Sequence, residues 1–136
     1  MELTKMPSLT RLKAFADTVE SNDHVGAILR FYAADASTRE NDNPPLRGRE
    51  ILAEKERQVL ARVAGVKTTR LGPLLVDGDH AAIRWRFEFM DKDGARRMME
   101  EVAWQTWRGE EVIEEHFLYD PAALRRKITE SAAATG

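Results

Sequence analysis

Residues 80–121 read HAAIRWRFEFMDKDGARRMMEEVAWQTWRGEEVIEEHFLYDP. Three strand-like runs follow one another, separated by the turns DKDG (Asp91 to Gly94) and RGE (Arg108 to Glu110), with no room for a helix between them. In the first run Ile83, Trp85, Phe87 and Phe89 alternate with Arg84, Arg86 and Glu88. That period of two gives a strand with one apolar side. Tight glycine-bearing turns join such strands into an antiparallel meander. The first half of the chain has helical periodicity instead. Helices first and a twisted sheet second predicts an α+β fold: a cone-shaped, curved antiparallel sheet wrapped around three N-terminal helices. A pocket forms where helices cover a sheet, so the inward residues of the meander carry the functional question.

Working back from the meander, Asp77-Gly78 predicts a hairpin turn. Val66 to Val76 predicts a strand bent at Gly72-Pro73, because proline cannot donate to a central ladder. A third helix of about four turns runs from Gly48 to near Gly65, a glycine suited to a left-handed cap. It carries Ile51, Leu52, Val59, Leu60 and Val63 on its apolar side. Ala36 to Glu40 predicts a short strand before the loop Asn41 to Pro45. Ser8 caps a first helix with Leu9, Leu12, Phe15, Ala16 and Val19 at helical spacing, and Asp23 caps a second with Val25, Ile28, Leu29 and Tyr32. After Asp120-Pro121 a short amphipathic helix holds Leu124 and Ile128, and Ser131 to Gly136 is expected to fray.

The chain of 136 residues is expected to form a single domain, residues 1–136, and a domain of that size buries roughly 68–70% of its unfolded surface. Lys plus Arg is 21 and Asp plus Glu is 23, a net charge of −2, so nucleic-acid binding by a broad positive face is not expected. No cysteine means no disulfide, thiol catalysis or cysteine zinc site. His24, His80 and His116 are scattered, and no metal or cofactor is expected. DKDG is too short for a calcium loop and lacks its distal glutamate. The start MELTKMPSLTRLK does not resemble a signal peptide, and no apolar run nears the roughly 20 residues that span a bilayer. The expectation is a soluble, cytoplasmic protein that does not enter membranes.

The order helix, helix, short strand, helix, then four strands now meets particular motifs. FYAAD ends the second helix, ASTRE forms the short strand, PPLRGRE leads into the third helix and EEVIEEHFLYDP closes the sheet. In these features the chain resembles the nuclear transport factor 2-like superfamily, and most closely its SnoaL-like branch. The resemblance covers nearly the whole chain. It implies the cone fold and leaves function open among isomerases, cyclases, hydrolases, dehydratases and non-enzymatic binding modules.

Alternation alone does not choose the inner sets of the last two strands, because both faces are mixed. Similarity to the ketosteroid isomerase pattern of this superfamily points Glu101, Gln105, Trp107, Glu115, Phe117 and Tyr119 inward. It places Glu40 where that enzyme carries its proton-shuttling aspartate, and Phe15 and Ala103 at its two oxyanion-hole positions. The carboxylate is kept while both donors are lost, which removes the preorganised stabiliser an enolate needs. An aromatic cavity with acidic groups remains. Phe15, Phe31, Trp85, Phe87, Phe89, Trp107, Phe117 and Tyr119 are its candidate walls, Gln105 an orienting donor, and Glu40, Glu101 and Glu115 its candidate catalytic groups. A glutamate desolvated there should have a raised pKa. The competing readings are plain core for the rings, a solvated Glu40 or one paired with Arg39, Arg47 or Arg49, and arginine salt bridges for Glu101 and Glu115. Two functions stay in view: a pocket protein that binds a small apolar ligand, with acid–base chemistry of isomerase, cyclase or hydrolase type, and a non-catalytic dimerisation or ligand-sensing module. The apolar content of the outer sheet face, with Val102, Trp104, Thr106, His116 and Leu118, predicts a homodimer.

Overall fold

The structure, a computed structural model, describes residues 7–128. Helix α1 (Leu9–Glu20) and helix α2 (His24–Phe31) come first, then strands β1 (Tyr32–Glu40) and β2 (Leu46–Arg47) and helix α3 (Arg49–Ala61). Strands β3 (Val63–Arg70), β4 (Leu75–Asp77), β5 (His80–Asp91), β6 (Arg96–Arg108) and β7 (Glu111–Tyr119) follow, with a short 3-10 helix at Pro121–Leu124. The predicted frayed tail lies outside the described residues. Among the described residues no helix is long and apolar enough to cross a membrane.

Both predicted caps form: the Ser8 side chain accepts from the Arg11 amide and the Asp23 side chain from the Gly26 amide, each at 3.0 Å. Gly26 is the residue that lets the second cap close. A Cβ there would lie 2.1 Å from the Asp23 carboxylate. Helix α1 buries Leu12, Phe15, Ala16 and Val19, as its spacing predicts, while Leu9 stays exposed. The buried face of α2 is His24, Ala27 and Phe31, and the chain turns into β1 at Tyr32, so the strand starts four residues earlier than its sequence suggests. Helix α3 ends at Ala61 and Gly65 sits inside β3, where it caps nothing. Its Ile51, expected on the apolar side, is 55% exposed. The predicted Val66 to Val76 strand is two strands broken at Gly72-Pro73, and both pair with β5, β3 along its far part and β4 at its start.

The sheet runs β2-β1-β7-β6-β5-β3, with β4 also on β5. The β5-β6-β7 meander is antiparallel as predicted. The pairing of β1 with β7 is parallel, so the sheet is mixed, with Thr38 opposite Glu115 and Glu40 opposite Phe117. A parallel neighbour requires a long crossover, and everything from α3 to β6 serves as one. Between β6 and β7 the register slips: Thr106 faces Glu114 but Trp107 faces Val112, leaving Ile113 as an extra residue. This bulge turns Val112 inward, where it is fully buried, although plain alternation puts Ile113 there.

The buried helix stripes meet Ala81, Ile83, Trp85, Phe87, Met99, Ala103, Trp107 and Val112 in one core on the concave side of the sheet. Phe15 meets Phe31 edge-on at 5.5 Å and Trp107 at 5.9 Å between ring centres. The core fills the narrow end of the cone. The wide end is left open.

Candidate active site

The open end holds a cavity of about 260 Å³ between α2 and α3 on one side and β1, β5, β6 and β7 on the other. A deeper chamber of about 90 Å³ continues from it toward Phe15, Val19 and Trp85. His24, Ile28, Tyr32, Glu56, Phe87, Glu101 and Phe117 border both spaces. Phe89, Met99, Tyr119 and Leu124 line only the outer part, together with Leu52 and Val59 of α3. The walls are largely apolar, and four carboxylates reach them.

Glu40 stands at the mouth. It accepts from the Tyr119 hydroxyl at 2.5 Å and is ion-paired with Lys55 of α3. None of Arg39, Arg47 or Arg49 reaches it: Arg39 donates to Asn43, Arg47 to Asp35 and Arg49 to Glu50 and the Tyr32 carbonyl. Burial alone would raise its pKa, but hydrogen bonds from Lys55 and Tyr119 and the Lys55 charge outweigh it and hold the carboxyl below its ordinary value. The raised pKa expected of a desolvated glutamate therefore does not apply to Glu40. Burial, and then the Glu40 hydrogen bond, push the Tyr119 phenol up instead.

Glu101, from the middle of β6, is buried on the wall of both spaces, and its carboxyl makes no hydrogen bond or ion pair among the described residues. Desolvation, followed by the negative charges of Glu40 and Glu56, raises its pKa to about 8. Glu115, from β7, is 3% exposed and borders the deep chamber. Tyr32 donates to its Oε1 and Gln105 Nε2 to its Oε2. Burial raises its pKa to about 8. The arginine salt bridges considered for these two are not formed. Near neutral pH the two inner glutamates hold their protons while Glu40 is ionised.

Of the ring residues, Phe15, Trp85, Phe87, Phe89, Phe117 and Tyr119 border one or both spaces. Phe31 and Trp107 lie in the core behind them, and Gln105 sits behind Glu115, bonded to it and to the Trp107 indole. Sequence reasoning passed over His24 and Glu56. His24 is buried beside Phe87, with Nδ1 3.1 Å from Glu56 and Nε2 2.8 Å from the Thr68 hydroxyl. The available signal was Glu56 lying between Leu52 and Val59, in line with the apolar stripe of α3.

The profile of the SnoaL-like domain matches residues 12–115. The chain belongs to the SnoaL-like family. A search of curated proteins gives no match. Among solved structures, a provisionally named SnoaL-like polyketide cyclase from Mesorhizobium loti is 29% identical, covers 79% of this chain and 95% of its own, and superposes with a TM-score of 0.67. A nuclear transport factor 2-like protein of unknown function from Burkholderia pseudomallei gives a TM-score of 0.74 at 13% identity, over 89% of this chain and 96% of its own. An epoxide hydrolase of the LEH-like type from M. tuberculosis gives 0.69 at 13% identity, over 91% and 86%. The last two likenesses concern the fold. In this SnoaL-like chain both positions matched to the isomerase oxyanion hole, Phe15 and Ala103, are buried and apolar. The hydroxyls that border its cavity belong to Tyr32, Thr38 and Tyr119.

Proposed function

We propose that the cavity binds a small, mostly apolar molecule and that Glu40 and Glu101 act on it as base and acid. The observation that carries this reading is Glu101: a carboxyl on the cavity wall whose oxygens stay open to the cavity and meet no protein partner among the described residues. A structural carboxyl is ordinarily satisfied by the protein that buries it. Beside it stands Glu40, ionised and held by Lys55 and Tyr119. Two carboxyls with proton affinities pushed apart are the arrangement that divides acid and base duties near neutral pH. The polyketide cyclase and epoxide hydrolase names of the structural neighbours are in keeping with such chemistry.

The test is a panel of cyclic ketones, followed for deuterium uptake from D2O, and of small epoxides, followed for ring opening. Turnover of any member should fall about 10²–10⁴-fold in Glu40→Gln and in Glu101→Gln, with binding of an apolar probe retained. A probe that binds without turnover of any panel member favours the second reading, a non-catalytic binding module. The Lys55 lock supports that second reading, because a carboxylate already paired with an ammonium is a weaker base.

The outer sheet face supports assembly as a homodimer: Trp104 is 50% exposed, with Leu118 and Met98 also exposed beside Val102, Thr106 and His116. An apolar patch around a tryptophan is poorly tolerated on a monomer. Trp104→Glu should give a monomer or an insoluble protein, and a monomeric mass for wild type in light scattering would end the idea.

A further inference from the structure

The proposed cavity reading leaves one end of the ligand without a stated chemistry, and the hydrogen-bond chain behind the deep chamber supplies it. The Trp107 indole can only donate, and it donates to Gln105 Oε1 at 3.0 Å. That contact fixes the amide, so Gln105 Nε2 faces Glu115 Oε2 and donates to it at 2.7 Å. Glu115 Oε2 is therefore an acceptor in either charge state. A hydroxyl oxygen accepts more weakly than a carbonyl oxygen, so the Gln105 contact favours a Glu115 proton on Oε1, which faces the Tyr32 hydroxyl.

Two arrangements follow. With Glu115 ionised, Tyr32 spends its hydrogen on the carboxylate. With Glu115 neutral, Glu115 donates to Tyr32, and the phenolic hydrogen turns away from it. No other acceptor meets the Tyr32 hydroxyl among the described residues, and Tyr32 borders both the chamber and the outer cavity. The freed hydrogen is then available to a ligand in either space. Glu115 is 3% exposed; the titratable groups that share its chamber are Tyr32 of β1, His24 of α2, Glu56 of α3 and Glu101 of β6, while Arg39, Arg47, Glu114 and His116 border it only from the groove on the other side. Its surroundings favour the neutral form, in line with a pKa of about 8.

We propose that the deep chamber is a subsite for an uncharged acceptor oxygen, a ketone or aldehyde carbonyl at the end of an otherwise apolar molecule, held by the Tyr32 hydroxyl that Glu115 backs. The rest of that molecule lies against Phe15, Trp85, Phe87 and Phe117. Tyr32 thus supplies a donor from β1, away from the two positions where Phe15 and Ala103 offer none.

The experiment compares two probes of one shape, 2-acetylnaphthalene and its hydrocarbon counterpart 2-isopropenylnaphthalene, by titration calorimetry. Wild type should bind the ketone about tenfold more tightly, the worth of one buried hydrogen bond. Infrared spectra of the ¹³C-labelled ketone should show its carbonyl stretch moved to lower frequency on binding. Tyr32→Phe should bring the ketone down to the hydrocarbon's affinity and abolish the infrared shift, leaving the hydrocarbon unchanged. The wild-type preference should fade as pH rises from about 6 to about 10, when Glu115 ionises and reclaims the Tyr32 hydrogen. Glu115→Gln can still donate to Tyr32 through its amide, so it should keep the preference at both pH values. Equal affinity for the two probes in wild type, with the hydrocarbon bound, overturns the carbonyl subsite alone. A preference that survives Tyr32→Phe also overturns it. Binding of neither probe overturns the cavity reading and the subsite together. Should Tyr32→Phe fail to fold, the infrared shift of wild type at the two pH values decides: an unshifted carbonyl at the lower pH overturns the proposal.

Discussion

Glu40 at the mouth of the cavity and Glu115 at its floor are the same residue type on neighbouring, hydrogen-bonded strands, yet they sit on opposite sides of neutrality. At the mouth a lysine and a phenol donate to the carboxyl and stabilise its charge. At the floor the donors are neutral, a tyrosine and an amide, and no lysine or arginine borders the chamber. Neutral donors offset only part of the cost of taking a charge out of water, so burial wins there and loses at the mouth. Glu101 sides with the floor, since it is buried without any donor among the described residues. The difference teaches that a carboxyl's role in this cavity is set by whether α3 lends it a cation.

The sharpest way to break the contrast is to remove the carboxyl that can give up a proton. Glu101→Gln should lower any turnover about 10²–10⁴-fold, measured as kcat, while thermal stability stays level or rises near neutral pH because the amide needs no proton. Next in size, Trp107→Phe leaves Gln105 Oε1 buried without its donor and should cost about 1–3 kcal/mol in denaturant unfolding. The contrast also has a thermal signature. The inner glutamates have folded pKa values near 8 against an ordinary 4.5, so their stabilising effect is complete at low pH and is lost as pH rises through about 8. Glu40, with a lowered pKa, behaves oppositely: its contribution is present above its unfolded value and is lost as pH falls through the folded one. Tm should therefore fall between about pH 4.5 and 8, and Glu115→Gln should recover roughly 5 °C of that fall in a calorimetric scan at about pH 9. The smallest expected effect comes from Lys55→Met. With the cation gone, burial acts on Glu40 unopposed except by Tyr119, and the acid limb of a pH–rate profile should move up by about one pH unit.

Much of the fold was legible in the sequence, but the contrast was not, since a raised pKa was expected of every cavity glutamate, Glu40 included. The period of two in Ile83, Trp85, Phe87 and Phe89 carries the concave face of β5 directly, and Ser8 and Asp23 announce their helices through cap chemistry. Resemblance was needed to turn Glu101, Gln105 and Glu115 inward, since strands with mixed faces carry no internal sign of which side is covered. The single-residue bulge at Ile113 was hidden, because alternation has no means of marking an extra residue in a ladder. The parallel pairing of β1 was also hidden, because direction depends on where a strand docks and not on its composition. His24, Glu56 and Lys55 were missed for a related reason: what they do depends on partners on other elements, Thr68 for His24, His24 for Glu56 and Glu40 for Lys55.

That parallel pairing of β1 with β7 has a consequence for how the protein comes into being. Tyr32 and Glu115 are 83 positions apart, and Glu40 and Tyr119 are 79 apart, so the contacts that set both ends of the cavity join the early chain to its last strand. Contacts at such separation carry a large loop-closure cost and form after the local meander is in place. During synthesis the three helices and β1 leave the ribosome with no wall to close against. The cavity therefore closes only once β7 has emerged, and a chain cut short before Glu111 would keep Glu40 and Glu101 but lack Glu115, Phe117 and Tyr119, the residues that hold or face them.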